Sequence, residues 1–262
     1  MKYSEISEYM ASDRLVLNSD KTHLLVMASD TQQRLYDNYE VELITGLETI
    51  LPQNHERLLG CEISSNFKWN EHIKDNELSL HRQLTSRINA LQKISYAASF
   101  STRKMIANGI VISRIIYAIQ LWGGANDYLL KILQVLQNRA ARFVTKLDIY
   151  TSQRVLLLQC GWMSVKQLAA YHSLVLVYKT KTEQKPVFLS ESLSKPFQIR
   201  TRTASTGALV DNLKTTSDIS KFSFMLISTK LWNTLPPQIR QARNLQKFKF
   251  KLKVWVKANV PQ

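Results

Sequence analysis

Between Asn70 and Thr182 the chain has no proline, and apolar residues recur every three or four positions, which predicts a bundle of helices. Leu80, Leu84, Ile88 and Leu91 form the apolar stripe of the first helix, with His81, Arg82, Thr85, Asn89 and Lys93 on its other faces. A second helix, capped by Ser101 or Thr102, carries Met105, Ile106, Gly109, Ile112 and Ile116 and ends near Trp122-Gly123-Gly124. The third runs from about Asn126 to Lys146, with Leu129, Leu133, Leu136, Ala140 and Phe143 inward and Lys131, Arg139, Arg142 and Lys146 available outside. Ser152–Gln159 and Val165–Thr180 read as a fourth and a fifth helix.

The pattern differs on either side of this stretch. Thr22–Met27, Val41–Ile44 and Leu58–Ile63 are short apolar runs between polar turns and read as strands. Ser4–Met10 reads as the end of a helix, and a chain that opens in mid-pattern suggests a truncated start. Residues 183–220 are rich in Ser, Thr and Lys and hold Pro186 and Pro196, as a connector does. Phe222–Leu231 reads as a helix, Pro236-Pro237 as a break, and Asn244 as the cap of a last segment. In that segment FKFKLKVWV alternates strictly, which argues a strand, yet Leu245, Phe248, Leu252 and Trp255 also fit one helix face. The pattern leaves both open. The expected class is α+β, mostly α: a small antiparallel strand region, a helical bundle, and a basic C-terminal helical region. The divisions fall at 1–68, 69–182, 183–220 and 221–262.

Composition adds a partner class. The 262 residues include 35 Lys and Arg against 20 Asp and Glu, a formal charge of +15 and a pI near 9.8. That excess favours a polyanion. Nucleic acid is preferred over an anionic membrane, because the basic residues recur along most of the chain and form no single juxtamembrane block. Cys61 and Cys160 stand far apart with no C-x-x-C partner, as buried thiols in a reducing compartment do. The first ten residues lack the apolar core of a secretory signal, and the most apolar stretch, Gly109–Gly124, is broken by Arg114 and Gln120. An intracellular protein is expected, nuclear or cytoplasmic. No phosphate loop, G-x-G-x-x-G, G-x-S-x-G, H-E-x-x-H or zinc spacing is present.

Several phrases resemble, in order, the reverse transcriptases of non-LTR, LINE- and jockey-like retrotransposons. LNSDKTHLLVM (Leu17–Met27) is similar to the Leu-Asn-x-x-Lys-Thr segment after the catalytic turn, and LLGCEISSNFKWNEHI (Leu58–Ile73) to the primer grip and the start of the thumb. SRIIYAIQLWG (Ser113–Gly123), LQNRAARFVT (Leu136–Thr145), IRTR (Ile199–Arg202) and LWNTLPPQIRQARNLQKFKFKLKVW (Leu231–Trp255) resemble the thumb and the region after it. The resemblance implies that 1–68 is the end of a palm with the primer-grip hairpin, and that 69–182 is a thumb-like bundle. The first metal-binding aspartate and the paired aspartates would then precede residue 1. Two-metal nucleotidyl transfer needs carboxylates that hold both ions about 4 Å apart. Asp13, Asp20, Asp30 and Asp37 are isolated singles, read as surface or cap residues. Tyr9-Met10-Ala11-Ser12 lacks both aspartates of a Tyr-x-Asp-Asp turn and fits a helix end better. The chain is thus expected to be a polymerase fragment without synthesis of its own. Magnesium is expected only for the complete parent enzyme, and this chain is assigned no cofactor or metal. The alternative is a non-catalytic, basic nucleic-acid-binding protein derived from such an element.

The resemblance gives Lys21 the place of a cation beside departing pyrophosphate; the plain alternative is a surface lysine flanking a strand. Leu59, Gly60, Cys61 and Glu62 take the place of the grip on the primer end, where glycine admits a phosphate near the backbone. A plain hairpin with a small residue at a bulge would have the same sequence, but Trp69 and His72 follow at the family's spacing. Arg82, Arg87, Lys93, Arg139, Arg142 and Lys146 are candidates to track a primer-template backbone. Arg200 and Arg202 form a second strip, and Lys247, Lys249, Lys251 and Lys253 a third. The expected partners are an RNA–DNA hybrid, or a DNA or RNA backbone, and the remaining polymerase half. Trp122, Trp162 and Trp232 are expected in the core.

Overall fold

The computed structural model describes residues 3–15, 18, 21–29, 32, 34, 41–45, 48–93, 98–194 and 223–261. The chain divides into two compact units, Met1–Glu71 and His72–Gln262. Among the described residues the class is α+β and mostly helical, with two small antiparallel strand pairs.

In the first unit, helix α1 (Tyr3–Ser12) includes the Tyr9–Ser12 string. It ends where Arg14 turns left-handed at φ 59° and the Leu15 N–H reaches back to the Met10 carbonyl at 2.9 Å, which satisfies a last-turn acceptor. Strands β1 (Leu43–Thr45) and β2 (Glu48–Ile50) form one hairpin, β3 (His55–Leu58) and β4 (Cys61–Ser64) another. Two of the expected strands need correction. Leu58–Ile63 is not one strand: Leu58 pairs with Cys61, and the two residues between them make the turn. Leu59 at φ 48° and Gly60 at φ 83° give the doubly left-handed turn that matches the twist of a two-residue hairpin, with no bulge. Thr22–Met27 runs extended but forms only one bridge, from Leu24 to Pro52, with the Gln53 N–H on the Leu24 carbonyl at 2.8 Å. A proline on the neighbouring segment has no N–H to continue the ladder.

The second unit is helical. Helix α2 (Leu80–Lys93) buries Leu80, Leu84, Ile88 and Leu91, the four residues of its predicted stripe. The next helix starts one or two residues before the expected cap: Ser99 accepts the Thr102 N–H, and α3 spans Phe100–Ala107. Its apolar residues do not keep one face, because a π-helical segment, Asn108–Ile112, inserts before α4 (Ser113–Ile116). The wider turn rotates the stripe, so that Arg103, Ala107, Val111, Ile112 and Ile115 are buried while Met105 is exposed. Left-handed Ala118, φ 52°, then breaks the helix before α5 (Ile119–Trp122), and the Trp122 indole N–H bridges the break to the Tyr117 carbonyl at 3.0 Å.

Helix α6 (Asp127–Thr145), capped by Asn126, buries all five residues assigned inward. Helix α7 (Gln153–Cys160) packs on α6, and α8 (Val165–Glu183) is the hub, touching α5, α6 and, nearer the C-terminus, the helices Phe224–Thr234 and Leu245–Asn259. It has apolar residues on several sides and no single stripe, as a helix with neighbours all round must. Ser164 and Gln167 close its N-terminus as a capping box, and the Gln167 amide also donates to the Val260 carbonyl at 3.0 Å.

The residues expected to be a connector include a helix, α9 (Val187–Ser194); 195–222 lie outside the described residues. After Ser223 come α10 (Phe224–Thr234), the one-turn α11 (Pro237–Arg240) and α12 (Leu245–Asn259). The FKFKLKVWV stretch is therefore helix. Phe248, Leu252 and Val256 make its buried line, and Phe248 stacks on Tyr178 with ring centres 4.2 Å apart and planes at 17°. Leu245 and Trp255 are half-buried. Trp122 and Trp232 are core residues at 0% and 1% exposure, whereas Trp162 is half-buried. Cys61 and Cys160 are buried, and neither is in a disulfide.

Candidate nucleic-acid interface

The two units carry opposite charge. Residues 1–71 hold six Lys and Arg against twelve Asp and Glu, and residues 72–262 hold 29 against eight. The basic excess is therefore confined to the helical unit and does not run along the whole chain. Among its described residues the ion pairs are Lys74 with Asp75 at 3.9 Å and Lys166 with Asp127 at 2.8 Å. The hydrogen bond from Lys166 holds the Asp127 carboxyl below its usual range, and a hydrogen bond with Tyr128 holds Lys74 above its own. Most of its described cations thus face solvent or neutral acceptors, and their fields add.

The predicted contact residues separate into two groups. Arg82 and Lys93 stand exposed on one outer face of α2, eleven residues and about 16 Å apart along its axis. Lys146, left-handed at φ 60°, is exposed where α6 ends, and Lys253 is exposed on α12 with Lys247 and Lys257, while Lys251, also exposed, donates to the Gln238 carbonyl at 3.1 Å. The other group is tied to the protein. Arg87 donates to the Ile110 carbonyl at 3.1 Å, and Arg139 to the Asn89 side-chain oxygen at 2.9 Å. Arg142 donates to the Ile149 carbonyl at 2.9 Å, with its Nε buried. Arg139 and Arg142 are therefore not fully available outside, since each spends one guanidinium edge joining elements. Lys249 is half-buried beside His172, and burial, with this lysine's charge, lowers the imidazole's pKa. Arg200 and Arg202 lie outside the described residues, as do Asp20, Asp30 and Asp37.

In the first unit Lys21 is exposed in a turn, its N–H on the Asn18 carbonyl at 3.2 Å. Leu59 is 83% exposed at the hairpin tip beside Gly60, while Cys61 turns inward at 3%. A ligand at this tip would meet the turn backbone and the Leu59 side chain, not the thiol. Glu62 is buried between His55 at 3.7 Å and Arg57 at 3.8 Å, contacts that brace the hairpin. Trp69 is half-buried. Among the described residues no group of three or more His, Cys, Asp or Glu could hold a metal ion.

Two features were not visible in the sequence. One is a cleft of about 350 Å³ lined by small and apolar residues, including Gly124, Ala170, Ser173, Phe224, Ile227 and Leu231. The other is Lys181, whose ammonium lies 5.5 Å from the centre of the Trp232 ring and whose pKa is lowered by burial and by the charge of Arg240, 59 residues further on in sequence. No periodicity connects those two cations; only the packing of α10 and α11 on α8 does.

Comparison of the chain with protein-family models, curated proteins and solved structures finds no match. Among the described residues no helix is long and apolar enough to cross a membrane.

Proposed function

We propose that this chain is part of an RNA-directed DNA polymerase of the non-LTR retrotransposon kind, and that its helical unit holds the backbone of a primer-template. The observation that carries the nucleic-acid part is the excess of 29 basic over eight acidic residues in the helical unit, with few of its described cations in ion pairs. Such a surface lowers the free energy of a polyanion by releasing its condensed counterions, without reading sequence. The polymerase part rests on the ordered phrases from Leu17 to Trp255. In this reading the chain grips and does not synthesise, magnesium belongs to the complete enzyme, and the protein works inside the cell. The charge asymmetry equally serves a non-catalytic binding protein derived from such an element. The two differ in whether a polymerase half carrying paired aspartates restores synthesis when mixed with this chain.

The test is a titration of an RNA–DNA hybrid and a DNA duplex at several salt concentrations. Affinity should fall steeply with salt, and replacing Lys247, Lys251, Lys253 and Lys257 by Gln should reduce the log–log slope by about one for each phosphate that is no longer neutralised. A slope near zero, or metal-dependent nucleotide incorporation by the chain alone, would refute the reading.

A further inference from the structure

Tyr178, buried on α8, donates its hydroxyl to the Ala242 carbonyl at 2.7 Å and so pins the segment after α11 against this helix. Lys181 follows one turn later on the same side of α8. Pro236 and Pro237 start α11, and Arg240 is its last residue, two positions before the pinned Ala242. Trp232, on the preceding helix, supplies a ring whose centre is 5.5 Å from the Lys181 ammonium. Three helices thus bring two cations and one aromatic face together.

Among the described residues no carboxylate neutralises either cation. The Arg240 Nε and Nη1 are shielded from solvent and have no hydrogen-bond partner, although a guanidinium is always charged and always a donor. Among the described residues neither Lys181 nor Arg240 is in an ion pair, Glu183 projects from the opposite side of α8, and no Asp or Glu follows Asp218 in the sequence. Burial and the nearby Arg240 charge both hold the Lys181 pKa below its ordinary value. Like charges held together with idle, desolvated donors are unfavourable alone and favourable around an anion.

We propose that Lys181 and Arg240 form a phosphate oxyanion site, with Arg240 donating one of its idle N–H groups, at Nε or Nη1, to one oxygen and Lys181 contributing a point charge from the Trp232 side. A guanidinium N–H makes a charge-assisted hydrogen bond to one oxygen of a tetrahedral phosphate, and an ammonium meets another without geometric demand. The inference fixes one anchoring point and its chemistry, and it stands whether or not the polymerase reading holds. A backbone phosphodiester and a free phosphate group would bind through the same atoms.

The first arm measures thermal unfolding of the full chain in sodium phosphate and in sodium chloride of equal ionic strength, with phosphate affinity from calorimetry. Phosphate should raise the melting temperature above the chloride value. Arg240→Gln and Lys181→Gln should each weaken phosphate binding about tenfold or more, and Arg240→Lys should recover part of the loss. Equal melting temperatures in the two salts, or Gln variants that respond as the parent does, overturn the site. Should Arg240→Gln fail to fold by circular dichroism, Lys181→Gln still decides, because it removes a like charge and leaves the α11 turn intact.

The second arm titrates a DNA duplex and an RNA–DNA hybrid. A salt slope reduced by about one in each Gln variant assigns the site to backbone phosphate. An unchanged slope alongside a lost phosphate response assigns it to a free phosphate or phosphorylated ligand. A chain that binds no nucleic acid but keeps the phosphate response refutes the proposed function and leaves the oxyanion site standing.

Discussion

Replacing Phe248 by Ala and, separately, Phe250 by Ala distinguishes the two ways of folding the FKFKLKVWV stretch. In a strand the two rings share a face, and their loss should cost similar amounts. In α12 they are about 200° apart around the axis. Phe248 is 0% exposed, stacked on Tyr178 at 4.2 Å and 6.0 Å from the Trp232 ring, whereas Phe250 is 74% exposed. Removing the buried ring forfeits its transfer free energy, its stacking and the atoms that fill the space, about 3–5 kcal/mol. For a unit of this size that lowers the melting temperature by about 10 °C. Removing the exposed ring should change stability by no more than about 0.5 kcal/mol, since alanine is also a good helix former. The assay is urea and thermal unfolding followed by circular dichroism, with the denaturant slope checked for constancy. Comparable losses at the two positions, or a Phe248→Ala cost below about 1.5 kcal/mol, would refute the packing of α12 on α8.

Four further outcomes follow from other parts of the helical unit. Gly123→Ala should destabilise by about 1–3 kcal/mol in unfolding experiments, because the added Cβ would lie 2.4 Å from the Ile119 carbonyl oxygen and 2.7 Å from the Ala169 Cβ. Arg103→Met should cost about 2–3 kcal/mol, since the buried guanidinium donates to the Val144 carbonyl in the last turn of α6 at 3.0 Å and also to the Ala98 carbonyl. Burial pushes the Cys160 thiol up to about 11, so it should resist a thiol reagent at pH 8 until urea is added. Its folded pKa lies above its unfolded one, so this thiol's contribution to stability should decline as pH rises from about 9 towards 11. His172 has the opposite sign: its folded pKa is depressed, so its contribution is complete above the unfolded value near 6.5 and is lost as pH falls below it. Urea midpoints at pH 7.5 and 5 should therefore converge in His172→Gln relative to the parent; an unchanged difference would count against the buried, neutral imidazole.

The helices of residues 80–183 were largely legible in the sequence because their signals are local. Leu80, Leu84, Ile88 and Leu91 repeat at the helical period, and Asn126 and Asn244 cap the helices that follow them with their own side chains. Such features depend on neighbours within one or two turns, and no partner is needed to read them. The sequence fell short where the deciding neighbour is distant. The π segment at Asn108–Ile112 moved Arg103 into the core and Met105 out, because a carbonyl on α6 offers that arginine an acceptor that no window around residue 103 contains.

The last helix and the cationic sites divide in the same way. FKFKLKVWV has both periods, and tertiary packing chose helix because Tyr178 and Trp232 present an aromatic surface to one line of residues every four positions. The number of cations follows from the sequence alone. Which of them are spent on structure, as Arg87 and Arg139 are, and which meet as Lys181 and Arg240 do, is set by packing. Charge is a property of each residue, but a site is a property of distances, and distances between residues far apart in the chain exist only once the helices have closed on one another.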